Sequence, residues 1–164
     1  TQEMVEIATR IKPDQVTLVP EKLNELTTTG GLDVIRHVES LKRVVKKLHR
    51  VGIKTSLFID TAVSQVRKAR AVGAVAVELN TGPYADAAVE DREQQRRKVV
   101  RAVKVARAEG LEVLAGHGLT YRNVMPITTI DHIVELNIGH SIVSRAVLVG
   151  MESAVREMIA LMPR

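Results

Sequence analysis

Arg50-Val51-Gly52-Ile53-Lys54-Thr55-Ser56-Leu57-Phe58-Ile59-Asp60 joins the end of a basic amphipathic helix to a glycine and then to a short apolar run. The same unit returns as Arg70-Ala71-Val72-Gly73 before Ala74-Val75-Ala76-Val77-Glu78-Leu79, and as Arg107-Ala108-Glu109-Gly110 before Leu111-Glu112-Val113-Leu114-Ala115. Glycine just past a helix end takes the left-handed conformation at little cost. The runs that follow read as buried on both faces, as strands of a parallel sheet must be. Two more strands fit, Gln15 to Val19 after the break at Lys12-Pro13-Asp14, and Ile133 to Ile138.

Helices fill the intervals: Glu3–Ile11, His37–Val51, Ala62–Val72, about Asp91–Glu109, a short helix before the last strand, then Ser141–Val149 and Met151–Met162. Strands alternating with helices mean an α/β fold with right-handed crossovers. Length alone favours an open sheet, because a closed barrel usually needs at least about 200 residues. Two features point the other way. No Gly-x-Gly-x-x-Gly turn follows the first strand, where a dinucleotide fold would carry one, and the chain opens on a helix with no strand before it. No linker or low-complexity stretch divides the sequence. The expectation is one α/β domain over residues 1–164, which reads as a fragment of a (β/α)8 TIM barrel.

The formal charge of +5 sits largely on helix faces, as Lys42, Arg43, Lys46, Lys47 and Arg50, and as Arg92, Arg96, Arg97, Arg101, Lys104 and Arg107. Apolar residues interleave with them at helical spacing, so each row reads as a solvated outer face. One Phe, two Tyr and no Trp leave almost no stacking platform for nucleic acid. No apolar run approaches the roughly 18 residues that would cross a bilayer, and the N-terminus lacks a signal pattern. The absence of cysteine excludes disulfides and thiolate metal sites. The expectation is a soluble, cytoplasmic protein that binds neither membrane nor nucleic acid, and a basic balance also fits small anionic substrates.

In either α/β architecture, ligands bind at the C-terminal ends of the strands. Gly116-His117-Gly118 lies at one such end. A histidine between glycines has no packing role, small neighbours let a substrate approach, and imidazole titrates near neutrality. His117 is therefore a candidate general acid or base, or else a loop residue in a glycine turn. Asn137-Ile138-Gly139-His140-Ser141 opens a helix, where free backbone N–H groups and the positive dipole end form either an anion site or an ordinary N-terminus. Barrel enzymes often hold phosphate after their seventh and eighth strands. Glu78 lies inside an apolar strand, and alternation puts it with Ala76 on the face opposite Val75, Val77 and Leu79. Burying a carboxylate is costly unless it is paired or used. Glu135 repeats the arrangement in Val134-Glu135-Leu136-Asn137, and either carboxylate could be structural. Thr27-Thr28-Thr29-Gly30-Gly31 could donate to a phosphate or sugar oxygen, or form a polar turn. His37, His49 and His132 read as surface or turn residues. No spacing suits a metal, and Lys54, at the opposite rim, does not suit a Schiff base.

Six strand-end segments resemble the pyridoxine 5′-phosphate synthase family in order and spacing. They are Leu18-Val19-Pro20-Glu21-Lys22, Thr27-Thr28 with Gly30-Gly31-Leu32-Asp33, Ser56 to Asp60, Thr81-Gly82 with Tyr84-Ala85-Asp86, Ala115 to Tyr121, and Glu135 to His140. The resemblance implies a βα-barrel, transferase-type synthase of vitamin B6 biosynthesis that condenses 3-amino-2-oxopropyl phosphate with 1-deoxy-D-xylulose 5-phosphate. The products would be pyridoxine 5′-phosphate, phosphate and water. It also implies no metal, no organic cofactor and a homo-octamer. By the same resemblance, His117 matches the proton donor and Glu78 a carboxylate that stabilises charge in the transition state. Gly118, Gly139 and His140 match contacts to the aminoketone phosphate, and Thr27 a contact to deoxyxylulose phosphate. The family's first three strands have no counterpart here, and with them go its general-base histidine and glutamate. The expectation is that the numbered chain is part of a longer protein. Two other readings stand beside this one: another phosphosugar isomerase or aldolase, and a non-catalytic half-barrel.

Overall fold

A computed structural model describes residues 1–20 and 30–162. Among them, helix α1 (Gln2–Ile11) leads to strand β1 (Gln15–Leu18), then α2 (Val38–His49), β2 (Lys54–Ile59), α3 (Val63–Ala71) and β3 (Ala76–Asn80). A one-turn helix α4 (Gly82–Ala85) precedes α5 (Val89–Ala108) and β4 (Glu112–Gly116), followed by α6 (Met125–Thr128) and β5 (Ile133–Asn137). Helices α7 (His140–Val149) and α8 (Met151–Ile159) close the described chain.

The strands form one sheet in the order β1-β2-β3-β4-β5, and every neighbouring pair is parallel. A doubly wound sheet reverses direction at a switch point and breaks sequence order. Here no reversal occurs, which is the arrangement of a barrel wall. The expected α/β reading holds, with element ends shifted by a few residues: β1 stops at Leu18, α5 begins at Val89 and α8 ends at Ile159. The helix α4 was not expected from sequence, because Gly82 and Pro83 lower helix propensity.

The repeated glycine acts as its position suggests. Gly52, Gly73 and Gly110 have φ of 84°, 95° and 71°, each turning a helix end into the next strand. Helix α2 then buries Leu41, Val45 and Leu48, and α5 buries Val99, Ala102, Val103 and Ala106. Their basic residues stay outside as expected, except that Arg92 and Arg96 are half-buried and donate to the Ala87 and Pro126 carbonyls. Leu41 of α2 and the four α5 residues pack with Leu57, Ile59, Val77, Leu79, Val113 and Ala115 in one core cluster. Each fully buried Leu or Ile contributes about 1.5–3 kcal/mol relative to exposure.

The other sheet face carries a different set. Phe58 pairs with Glu78 across β2 and β3, and Glu78 with Leu114 across β3 and β4. Between β4 and β5 the register shifts: Val113 faces Ile133, but Leu114 faces Glu135. Val134 is the extra residue, and it is 64% exposed. A bulge of this kind re-aims the side chains beyond it. It places Glu135 and Asn137 in the rows of Leu114 and Gly116. The inner face therefore collects Phe58, Glu78, Glu135 and Asn137, while the outer face collects aliphatic residues.

Candidate active site

At the C-terminal end of the sheet, His117, Gly118, Glu78, Gly139 and His140 all line one cavity of about 720 Å³. That volume lies within the roughly 300–1,000 Å³ typical of small-molecule sites. The structure thus brings together five of the residues singled out from sequence. Thr27 lies outside the described residues, as do Glu21, Lys22, Thr28 and Thr29.

His117 has φ of 80°, and Gly118 follows with φ of 73°. Two successive left-handed residues reverse the chain just beyond β4. A positive φ is uncommon outside glycine, although histidine adopts it more readily than most, and it costs about 1–3 kcal/mol. Surrounding bonds hold the turn. Thr81 Oγ1 lies 2.7 Å from the Gly116 carbonyl and 2.6 Å from the His117 carbonyl, to which its hydroxyl donates. Asn123 Nδ2 donates to the Gly118 carbonyl at 3.1 Å, and Asn123 Oδ1 accepts from the Thr120 amide at 2.7 Å. The buried Tyr84 hydroxyl in turn donates to the Asn123 carbonyl at 2.8 Å. The imidazole stands beside Phe58, with ring centroids 6.2 Å apart.

Glu78 is half-buried between Phe58 and Leu114 in adjacent strands. Burial pushes its carboxyl above the ordinary value, the charge of Glu135 adds to that, and a hydrogen bond with the Asn137 side chain opposes it. Gly116 makes the last contact possible. A β-carbon there would collide with Glu78 Oε1 and would sit 3.1 Å from Asn137 Cβ. Because β4 has no side chain at that point, a β5 residue reaches across it to a β3 carboxylate.

Gly139 caps α7 without a side-chain hydrogen bond at the cap. The first amides of a helix have no intrahelical acceptor, and the dipole adds partial positive charge. His140, Ser141 and Ser144 continue this wall of the cavity. The arrangement can hold an anionic group at α7, offer an imidazole for proton transfer, and place a carboxylate beside any cationic centre between them. Among the described residues, no group of three or more His, Cys, Asp or Glu side chains could hold a metal ion. No helix among them is long and apolar enough to cross a membrane.

Ser144 was not picked out from sequence as lining this site. Phe58, Asn137 and Ser141 lie in strand-end segments that were, but the contact of Asn137 with Glu78 was not foreseen, because its partner lies two strands away and depends on the β5 bulge. Glu135 reaches the same face as Glu78, as the alternation suggested, but is exposed.

Comparison with known proteins gives a consistent picture. Pyridoxine 5′-phosphate synthase of Prochlorococcus marinus (strain MIT 9211) is 50% identical over 161 residues, covering 98% of this chain and 66% of that protein. The protein of the same name from Parasynechococcus marenigrum (strain WH8102) is 53% identical over 161 residues, covering 98% of this chain and 65% of its own length. The chain thus spans about two thirds of the length of these curated relatives. Among solved structures, a mutant mandelate oxidase carrying a monooxide FMN adduct superposes with a TM-score of 0.59 at 16% identity, over 98% of this chain and 50% of that one. At that identity the likeness shows the fold alone, a βα-barrel of which five consecutive strands are present here. With the model of the family described as "Pyridoxal phosphate biosynthesis protein PdxJ" matching residues 1–164 throughout, the chain belongs to that family.

Proposed function

We propose that this chain supplies the fourth to eighth strands of a pyridoxine 5′-phosphate synthase. That enzyme joins 3-amino-2-oxopropyl phosphate to 1-deoxy-D-xylulose 5-phosphate, forming pyridoxine 5′-phosphate, phosphate and water. The observation that carries this reading is the shared cavity, in which His117, Glu78 and the first turn of α7 meet.

The phosphate of the aminoketone binds the amides at Gly139 and His140, with Gly118 as a further contact. Thr27 contacts the deoxyxylulose phosphate. The substrate amine attacks the sugar-phosphate ketone, and loss of water gives an imine. Phosphate leaves, water adds, and ring closure with dehydration completes the pyridine. Each departing oxygen needs a proton, which His117 supplies; such transfers are worth about 10²–10⁴ in rate. Glu78 stabilises the cationic imine and enamine stages, and its position between apolar neighbours strengthens that attraction. The scheme uses protein groups alone, with no metal and no organic cofactor. We place the protein in the cytoplasm as a homo-oligomer, an octamer by the family resemblance.

The test is to incubate the full-length protein with both phosphorylated substrates while following pyridine absorbance and phosphate release. A pyridine chromophore appearing with stoichiometric phosphate is the expected result. Conversion of either substrate alone, or no new chromophore, overturns the reading.

A further inference from the structure

We propose that Asn80 is a positioning residue for the His117 imidazole. The proposal rests on the reading of His117 as the proton donor, and it extends that reading to a side chain the cavity wall does not include.

Asn80 ends β3 and is 2% exposed. Both functions of its amide are used. Its Oδ1 accepts from the Gly82 amide at 2.9 Å, and its Nδ2 donates to Asp60 Oδ1 at 2.9 Å. The first bond fixes the chain at the start of α4. Gly82 is where the imidazole rests: a β-carbon there would lie 2.8 Å from His117 Cδ2 and 3.0 Å from Asn80 Oδ1. The amide oxygen, the Gly82 Cα and the ring edge therefore meet at one point. The second bond fixes the rotation of the Asn80 amide, since only the carbonyl orientation toward Gly82 leaves the NH₂ group toward a carboxylate. Asp60 is itself anchored, as its Oδ1 also accepts from the Gly31 amide at 3.0 Å, and Leu32 donates to the Phe58 carbonyl at 2.7 Å.

This chain of bonds joins the ends of β2 and β3 to the segment before α2. A floor for His117 built this way stays in place only while donor and acceptor alternate: Gly31 and Asn80 donate to Asp60, and Gly82 donates to Asn80. Buried polar groups with such partners hold one geometry, whereas a broken link leaves an unpaired group and a mobile segment. The His117 backbone is separately fixed through Thr81. Loss of the Asn80 link therefore alters the ring's surroundings more than the course of the chain.

The experiment compares Asn80→Ala with Asn80→Asp in the full-length protein. It reads His117 ring resonances by heteronuclear NMR, together with kcat and KM. The expected result is that both variants shift or broaden the His117 signals. The misplaced acid should lower kcat by up to roughly 10²-fold, with a smaller change in KM for the aminoketone phosphate. Asn80→Asp keeps an acceptor for Gly82 but sets two carboxylates against one another, whereas Asn80→Ala removes both bonds. Unchanged His117 signals in the variants overturn the proposal. If Asn80→Ala does not fold, Asn80→Asp decides by the same criterion. Altered ring signals with unaltered turnover uphold Asn80 as the positioning residue and instead overturn His117 as proton donor.

Discussion

The His117 imidazole lies against the Cα of Gly82, so closely that a β-carbon at Gly82 would fall 2.8 Å from Cδ2. A residue of one strand-end turn thus sets the side-chain position of another. Gly82→Ala should push the ring away from its place while leaving the α4 turn intact, because alanine is the better helix former. The expected outcome is a fall in turnover of roughly 10²-fold with little change in melting temperature. Undiminished turnover would show that the ring's position against Gly82 does not matter to the chemistry.

His117→Asn tests the acid itself. Asparagine is among the few residues that tolerate a positive φ, so the backbone at φ 80° should persist. Turnover should fall by about 10² or more, with stability nearly unchanged. Wild-type rates in this variant would remove His117 from the reaction.

Glu78 makes stability depend on pH in a direction its surroundings dictate. Its carboxyl is raised, mainly by burial, so the folded state holds the proton more tightly than the unfolded chain does. Its favourable contribution is present below the ordinary carboxylate range and is lost as pH rises through the elevated folded value. Glu78→Gln removes the charge and keeps a hydrogen-bonding group for Asn137. The variant should melt above the parent near pH 7, with the gap closing toward about pH 4, and its turnover should drop. A parent that gains on the variant as pH rises contradicts the sign.

Tyr84→Phe should loosen the turn that carries His117. The Tyr84 hydroxyl is buried and donates to the Asn123 carbonyl, and Asn123 braces both Gly118 and Thr120. Leaving that carbonyl unpaired should cost about 1–3 kcal/mol, measurable as a lower denaturation midpoint at unchanged slope. Faster amide exchange at residues 118–120 than in the parent should accompany it.

Thr55 offers a change of the opposite sign. Its side chain is fully buried, and Oγ1 has no hydrogen-bond partner among the described residues. Thr55→Val keeps the shape and removes the stranded hydroxyl, so stability should rise by about 1 kcal/mol. A lower midpoint would reveal a partner for that hydroxyl.

Much of the architecture was legible because it is local. Glycines at 52, 73 and 110 each follow a helix whose buried face recurs at helical spacing, and the apolar runs behind them became β2, β3 and β4. The site was half legible. His117, Gly118, Gly139 and His140 announce themselves by sitting at strand ends among glycines, and Glu78 by being charged within an apolar run. The contacts do not: that Phe58 stands beside the imidazole and that Asn137 reaches Glu78 is visible only once neighbouring strands are aligned.

By itself, then, the order of residues determined an alternating α/β chain, its outer basic faces and the strand tips where an imidazole and free amides would sit. Only the tertiary structure decided that a bulge at Val134 turns Asn137 toward Glu78, that Gly116 leaves the gap between them, and that Gly82 is the surface under His117. Helix periodicity and glycine turns are settled within a few residues, whereas register is settled by backbone hydrogen bonds between strands far apart in the chain, and a slip of one residue sends every side chain to the opposite face.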